Sequence, residues 1–179
     1  MAATKKFLVL TAIGKDRAGL ISELSEAVVD TGCGITDSRM TVLGTEFALI
    51  MMLAGTWNAI AKLEAMVPSL QKKLGLTMTT QRAEERPARE KRVPYLVDIV
   101  ALDRPGVVHD VARFFDERQI DIDDMSTWTY LAANTTAPMF SVSMSLSIPS
   151  DVHIGRLRDE FTDFCDELNL DATLEPARR

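Results

Sequence analysis

The residues best suited to chemistry stand in one short stretch that the chain uses twice. Lys15-Asp16-Arg17-Ala18-Gly19-Leu20 has a second version in Asp103-Arg104-Pro105-Gly106-Val107, displaced by 87 positions. In both places the stretch closes an apolar run and opens an amphipathic one. A turn that delivers the chain into a helix start presents unpaired backbone N–H groups and the positive end of the helix dipole. Gly19 and Gly106 let a ligand come close to the backbone, where a carboxylate fits. Asp16 and Asp103 can receive an ammonium group, so the two features together are complementary to a free amino acid. The residues by themselves leave a plainer reading open and favour it: each Asp hydrogen-bonds its own loop, and the glycines only satisfy the turn.

No reactive set accompanies this turn. His109 and His153 are the only histidines, and neither has a nucleophile or ligand partner at a recognisable spacing, so both are expected to be solvated. Asp121, Asp123 and Asp124 crowd one strand start, but no calcium-loop pattern surrounds them, and a solvated strand end is the better reading. Cys33 and Cys165 occupy non-equivalent positions; two thiols make no disulfide framework or zinc set, which predicts reduced side chains in a cytosolic protein. Met40, Met51 and Met52 are assigned to core or interface packing. No cofactor, metal or catalytic residue is expected.

The elements that must position the turn repeat with it. Leu20, Ile21, Leu24, Ala27 and Val28 match Val107, Val108, Val111, Phe114 and Phe115, all shifted by 87, and their spacing marks one face of a helix. Phe47, Leu49, Met51 and Leu53 match Phe140, Val142, Met144 and Leu146 at an offset of 93, with the alternation of a half-buried strand. Ile60, Leu63, Val67, Leu70 and Leu74 match Ile154, Leu157, Phe161, Phe164 and Leu168 at an offset of 94. Growth of the offset from 87 to 93 puts six extra residues in the middle hairpin of the second copy, around Ala132-Ala133-Asn134-Thr135-Thr136, where an insertion costs least.

The first copy therefore reads as strand 6–14, helix 18–31, strands 34–43 and 46–54, helix 57–74 and strand 75–81. The second reads as strand 94–102, helix 105–119, strands 121–131 and 138–148, helix 151–169 and strand 170–175. Gly32 and Gly34 flank the end of the first helix, where a left-handed cap is needed. Gly44 at the first central position of Leu43-Gly44-Thr45-Glu46 predicts a type II′ hairpin. Thr56 is placed as an N-cap, Pro105 in a first helical turn, and Ser150 or Pro149 at the start of the last helix. Residues 1–81 and 93–179 are expected as two domains joined by the charged linker 82–92.

Strand-helix-strand-strand-helix-strand, twice, is an α+β ferredoxin-like βαββαβ pattern: antiparallel four-stranded sheets with both helices on one face. Two copies in 179 residues are each small, so they are expected to fold as one cooperative unit. A net charge of −6 and pI near 5.0 argue against a nucleic-acid footprint. The opening Lys5-Lys6 followed by an apolar run could pass for a secretion signal, but it recurs internally as residues 95–102, so it is a strand. The longest strongly apolar run, 47–54, is too short to cross a bilayer as a helix.

With Asp-Arg-x-Gly-aliphatic after each first strand, the chain resembles tandem ACT domains. The stretch Cys33 to Asn58, in particular Leu43-Gly-Thr-Glu-Phe47 and Gly55-Thr-Trp-Asn58, resembles the glycine cleavage system transcriptional repressor family. That resemblance implies a cytoplasmic regulator without chemistry of its own. It implies a response to an amino acid, with glycine the effector in that family. The regulator would act on transcription through a DNA-binding activator rather than by touching DNA, with no membrane partner and with a homodimer allowed. It also places ligand between the first loop of one module and a strand of another. In this chain that means Asp16, Arg17, Ala18, Gly19 and Leu20, and Asp103, Arg104, Gly106 and Val107, with Ile35, Thr36, Ile122 and Asp123 on the facing strands.

Overall fold

The computed structural model describes residues 5–84, 92–132 and 137–177. The chain divides into two units, Met1–Pro87 and Ala88–Arg179. The first holds β1 (Lys6–Lys15), α1 (Leu20–Asp30), β2 (Gly34–Leu43), β3 (Glu46–Gly55), α2 (Trp57–Leu74) and β4 (Leu76–Ala83). The second holds β5 (Arg92–Leu102), α3 (Val107–Asp116), β6 (Asp121–Leu131), β7 (Pro138–Pro149), α4 (Ile154–Leu168) and β8 (Asp171–Pro176). The sheets have the equivalent orders β2-β3-β1-β4 and β6-β7-β5-β8, and every pairing is antiparallel. The expected twofold βαββαβ fold is present.

One face of each sheet carries the core. Leu8, Leu10, Ala12, Phe47, Leu49, Met51 and Leu53 alternate inward and meet Leu24, Val28, Leu63 and Leu70 of the helices. The second core has the same layout with larger side chains. Phe114, Phe115, Phe161 and Phe164 stand where the first copy has Ala27, Val28, Val67 and Leu70, and their rings pack with centroids 4.8 to 5.4 Å apart. Both cysteines are free and buried. Met51 is buried, whereas Met40 lies exposed on β2.

Several boundaries differ from the sequence expectation, each for a local reason. Helices α1 and α3 start at Leu20 and Val107 rather than at 18 and 105, because Gly19 and Gly106 take left-handed conformations (φ 90° and 97°) as their N-caps. Pro105 therefore precedes the cap and is not in the first helical turn. Helix α4 starts at Ile154, not at 151, because His153 is its cap: Nδ1 accepts the Arg156 N–H at 3.2 Å. Helices α1, α3 and α4 end by the same device. The N–H groups of Cys33, Ile120 and Leu170 reach back to Val28, Phe115 and Cys165, through left-handed residues Gly32, Gln119 and Asn169. This cap satisfies carbonyls left without partners at a helix end.

The expected linker is shorter than 82–92, since Arg82 and Ala83 belong to β4 and Arg92 to β5; its residues 85–91 lie outside the described ones. Residues 133–136 of the expected hairpin insertion also lie outside them, and the hairpin closes with Leu131 opposite Pro138 and the Ala132 N–H on the Ala137 carbonyl. In the first hairpin Gly44 has φ 62° and Thr45 is not left-handed, as a type II′ turn requires.

Candidate functional site

Each β1–α1 type turn is held from two sides. The Asp16 N–H donates to the Thr45 carbonyl at 2.9 Å, and the Asp103 N–H donates to the Pro138 carbonyl at 3.0 Å. These bonds tie the turn to the tip of the neighbouring hairpin. On the helix side, Arg17 Nη1 donates to Glu23 Oε1 at 2.6 Å and to the Ala18 carbonyl at 3.2 Å. Arg104 reaches Asp110 Oδ2 from both terminal nitrogens, at 3.3 and 3.4 Å. The arginine called by the resemblance is thus committed to a carboxylate of the first helical turn, where negative charge also complements the helix dipole.

Sequence reasoning missed Glu23 and Asp110. The signal was available, because they too stand 87 positions apart. The Glu23 carboxyl is held below its ordinary range by the hydrogen bond from Arg17, with burial acting the other way.

The aspartates behave otherwise. The carboxylates of Asp16 and Asp103 make no hydrogen bond or ion pair among the described residues, and both side chains are exposed. Among the described residues neither Asp side chain bonds its own loop, which is tied instead by the backbone and by the arginine, while Gly19 and Gly106 supply the left-handed conformation that the turn needs. Gly19 and Gly106 carry no side-chain cap for their helices. The first intrahelical bonds run from Glu23 to Gly19 and from Asp110 to Gly106, so the intervening N–H groups face outward at the helix start. Nothing but the Glu23 and Arg17 side-chain ends lies within 4 Å of where a Gly19 side chain would begin. The turn is thus open at Gly19, with the exposed Asp16 three residues before it in the chain.

The expected strand residues lie elsewhere in each unit. Lys15 pairs with Glu46 beside the hairpin, whereas Ile35 pairs with Leu53 at the opposite end of the sheet. Seven residue steps along β3, from Glu46 to Leu53, separate those ends, about 23 Å. Thr36 and Asp123 each sit at a β-bulge, where the register shifts between Ile35 and Asp37 and between Ile122 and Asp124. Their side chains brace the bulges: Thr36 Oγ1 donates to the Met52 carbonyl at 3.0 Å, and the Ser147 hydroxyl donates to the Asp123 carboxylate. No unit brings its own turn and its own bulge into one site.

Other polar candidates are accounted for structurally. Asp121 pairs with Arg92 at 3.1 Å, no group able to hold a metal ion occurs among the described residues, and His109 is exposed on α3. Among the described residues no helix is long and apolar enough to cross a membrane.

Comparison with known proteins agrees with this architecture. Residues 6–81 match the ACT domain. The glycine cleavage system transcriptional repressors of Escherichia coli (strain K12) and Shigella flexneri are each 29% identical over 172 residues, covering 96% of this chain and 90% of the relative. A crystal structure assigned provisionally to that repressor type superposes with a TM-score of 0.77 at 26% identity, covering 99% of this chain and all of the other. A protein of unknown role from Galdieria sulphuraria superposes at 0.78 with 21% identity over 98% of this chain, a likeness of fold alone.

Proposed function

Because residues 6–81 are an ACT domain and the second unit repeats its topology, we propose that this chain is an amino-acid-responsive regulatory protein of the glycine cleavage repressor type. It is a regulator and not an enzyme, in keeping with relatives that match it nearly end to end and are named transcriptional repressors. One observation carries the ligand reading: both turns present an aspartate carboxylate without a partner among the described residues, near a left-handed glycine at a helix start that no side chain caps. An α-amino acid has the matching charges, its ammonium for Asp16 or Asp103 and its carboxylate for the amides after Gly19 or Gly106. Glycine is the smallest such ligand and the one the relatives' name suggests.

Regulation of transcription without direct DNA contact suits an acidic chain. We assign the DNA-binding step to a separate protein partner that this chain engages.

The test is a thermal-shift and calorimetric screen of the full chain against the twenty amino acids. Stabilisation by glycine or another amino acid, removed in the double variant Asp16→Asn/Asp103→Asn, is the expected result. No response to any of them at millimolar concentration would end the sensor reading.

A second reading, an interaction module that binds no ligand, is favoured by β2, an edge strand exposed at all ten positions. Under it, substitutions at Gly19 and Gly106 would change the sedimentation of the chain and leave its thermal midpoint blind to amino acids.

A further inference from the structure

The internal duplication is a control for every surface feature: what the βαββαβ fold itself requires recurs in kind in the other copy. One cluster does not recur. In the first unit Lys6, Phe7, Trp57, Ile60, Arg82 and Glu84 line a cleft of about 320 Å³, at the start of β1, the end of β4 and the first turn of α2. The ladder pairs Leu8 with Arg82 and Tyr95 with Pro176, so Arg82 corresponds to Pro176, Phe7 to Pro94 and Lys6 to Val93. The helical offset of 94 makes Asp151 the counterpart of Trp57 and Arg158 that of Glu64. Of the lining residues only Ile60 and Ala83, whose counterparts are Ile154 and Ala177, are common to both, and Ile60 is buried for the core.

The cluster is also held in shape. Arg82 Nε and Nη2 donate to the two oxygens of Glu64 at 3.0 and 2.8 Å, a bidentate pair that fixes the guanidinium plane. That group lies 5.9 Å from the centre of the Trp57 ring, and Lys5 Nζ lies 5.8 Å from the Phe7 ring. Trp57 is 59% exposed, a costly place for the largest apolar side chain unless something covers it. Its motif, Gly55-Thr56-Trp57-Asn58, is not used by the proposed turn sites.

We infer that this cleft binds a small anion carrying a flat aromatic ring. The ring lies against the Trp57 indole beside Phe7, and the negative group faces Lys6, with Lys5 adding positive potential. Arg82 is already neutralised by Glu64, so Lys6 is the cation free to answer the ligand. Aromatic faces attract flat rings by offset stacking, and the cleft volume sits at the small end of ligand sites, which suits a single ring system with one anionic group. Glu84 at the rim disfavours a second negative group. An aromatic carboxylate and a nucleoside monophosphate share this chemistry. The inference does not depend on the turns or on amino-acid binding.

The test uses the full chain with Trp128→Phe, which leaves Trp57 as the sole indole of the two in the sequence. Its emission is titrated with benzoate and with adenosine 5′-monophosphate, and with acetate, inorganic phosphate and benzamide as controls. Saturable change with benzoate identifies a carboxylate site, and with the nucleotide a phosphate site. In either case Lys6→Gln, at an exposed position, weakens binding about fivefold, and Asp16→Asn leaves it unchanged. The inference is overturned by any of three results. These are no saturable response to either aromatic anion at millimolar concentration, a response to benzamide or acetate as strong as to benzoate, and affinity unmoved by Lys6→Gln. Failure of the amino-acid screen has no bearing on this outcome.

Discussion

At the scale of the residue, the duplicated turn divides labour between neighbours that look equivalent in the sequence. Arg17 and Arg104 are spent on Glu23 and Asp110, and what remains for a ligand is the aspartate and the glycine. Gly19 has φ 90°, a conformation that costs an L-residue about 1–2 kcal/mol. There is room for a methyl group, so Gly19→Ala is expected to lower stability in urea by about that amount through the backbone alone. A second residue-scale prediction concerns Cys165, whose thiol burial pushes up to about 11 from an ordinary 9.0, with the charge of Asp166 adding to it. The folded thiol stays protonated where the unfolded one ionises. Its contribution to stability is therefore complete below pH 9.0 and is lost as pH rises toward about 11. Cys165 should label with a thiol reagent near neutral pH only when denaturant is added, and prompt labelling of the native chain would contradict the burial argument.

At the scale of the element, the helices are defined by their ends as much as by their apolar stripes. All four close through a left-handed residue, with glycine at the first two, Gly32 and Gly75; Gln119 and Asn169 occupy the others with φ 55° and 54°. Asn tolerates that region, and Gln does so with more strain. Gln119→Gly is expected to raise the unfolding free energy by about 0.5–1 kcal/mol, read from the denaturant midpoint at unchanged slope. A fall would mean that the Gln119 side chain contributes something the cap geometry does not explain. These caps were only partly legible. Gly32 announced itself, whereas Gln119 sits in Glu117-Arg118-Gln119-Ile120, where nothing marks a break before the buried Ile120 requires one. His153 escaped notice for a similar reason: a ring nitrogen serves as a cap only once the backbone places it over the Arg156 N–H.

At the scale of the whole molecule, the two units share topology and differ in charge. Residues 1–87 hold ten basic and nine acidic side chains, and residues 88–179 hold ten basic and seventeen acidic ones. The acidity that argues against nucleic acid therefore belongs to the second unit. Each unit carries one tryptophan, Trp57 or Trp128, so the variants Trp128→Phe and Trp57→Phe report on the units separately. We expect their thermal transitions to coincide, since modules of this size gain stability from folding together. Midpoints well apart would establish independent folding. Added salt should raise the midpoint seen by Trp128, because self-repulsion is screened where net charge is large.

The sequence by itself determined the duplication, the order and type of the elements, the inward faces of strands and helices, and the place of the two turns. All of these follow from periodicity and from the offsets of 87, 93 and 94, which are local or one-dimensional signals. Only the tertiary structure decided that Asp16 and Asp103 have no partner among the described residues and that the arginines are committed. It also decided that Thr36 and Asp123 brace bulges about 23 Å along the sheet from their own turn, and that Phe7, Trp57 and Arg82 meet in one cleft. Those facts depend on strand register and on which side-chain tips meet across elements, and no spacing along the chain encodes a distance between residues that the fold brings together from β1, α2 and β4.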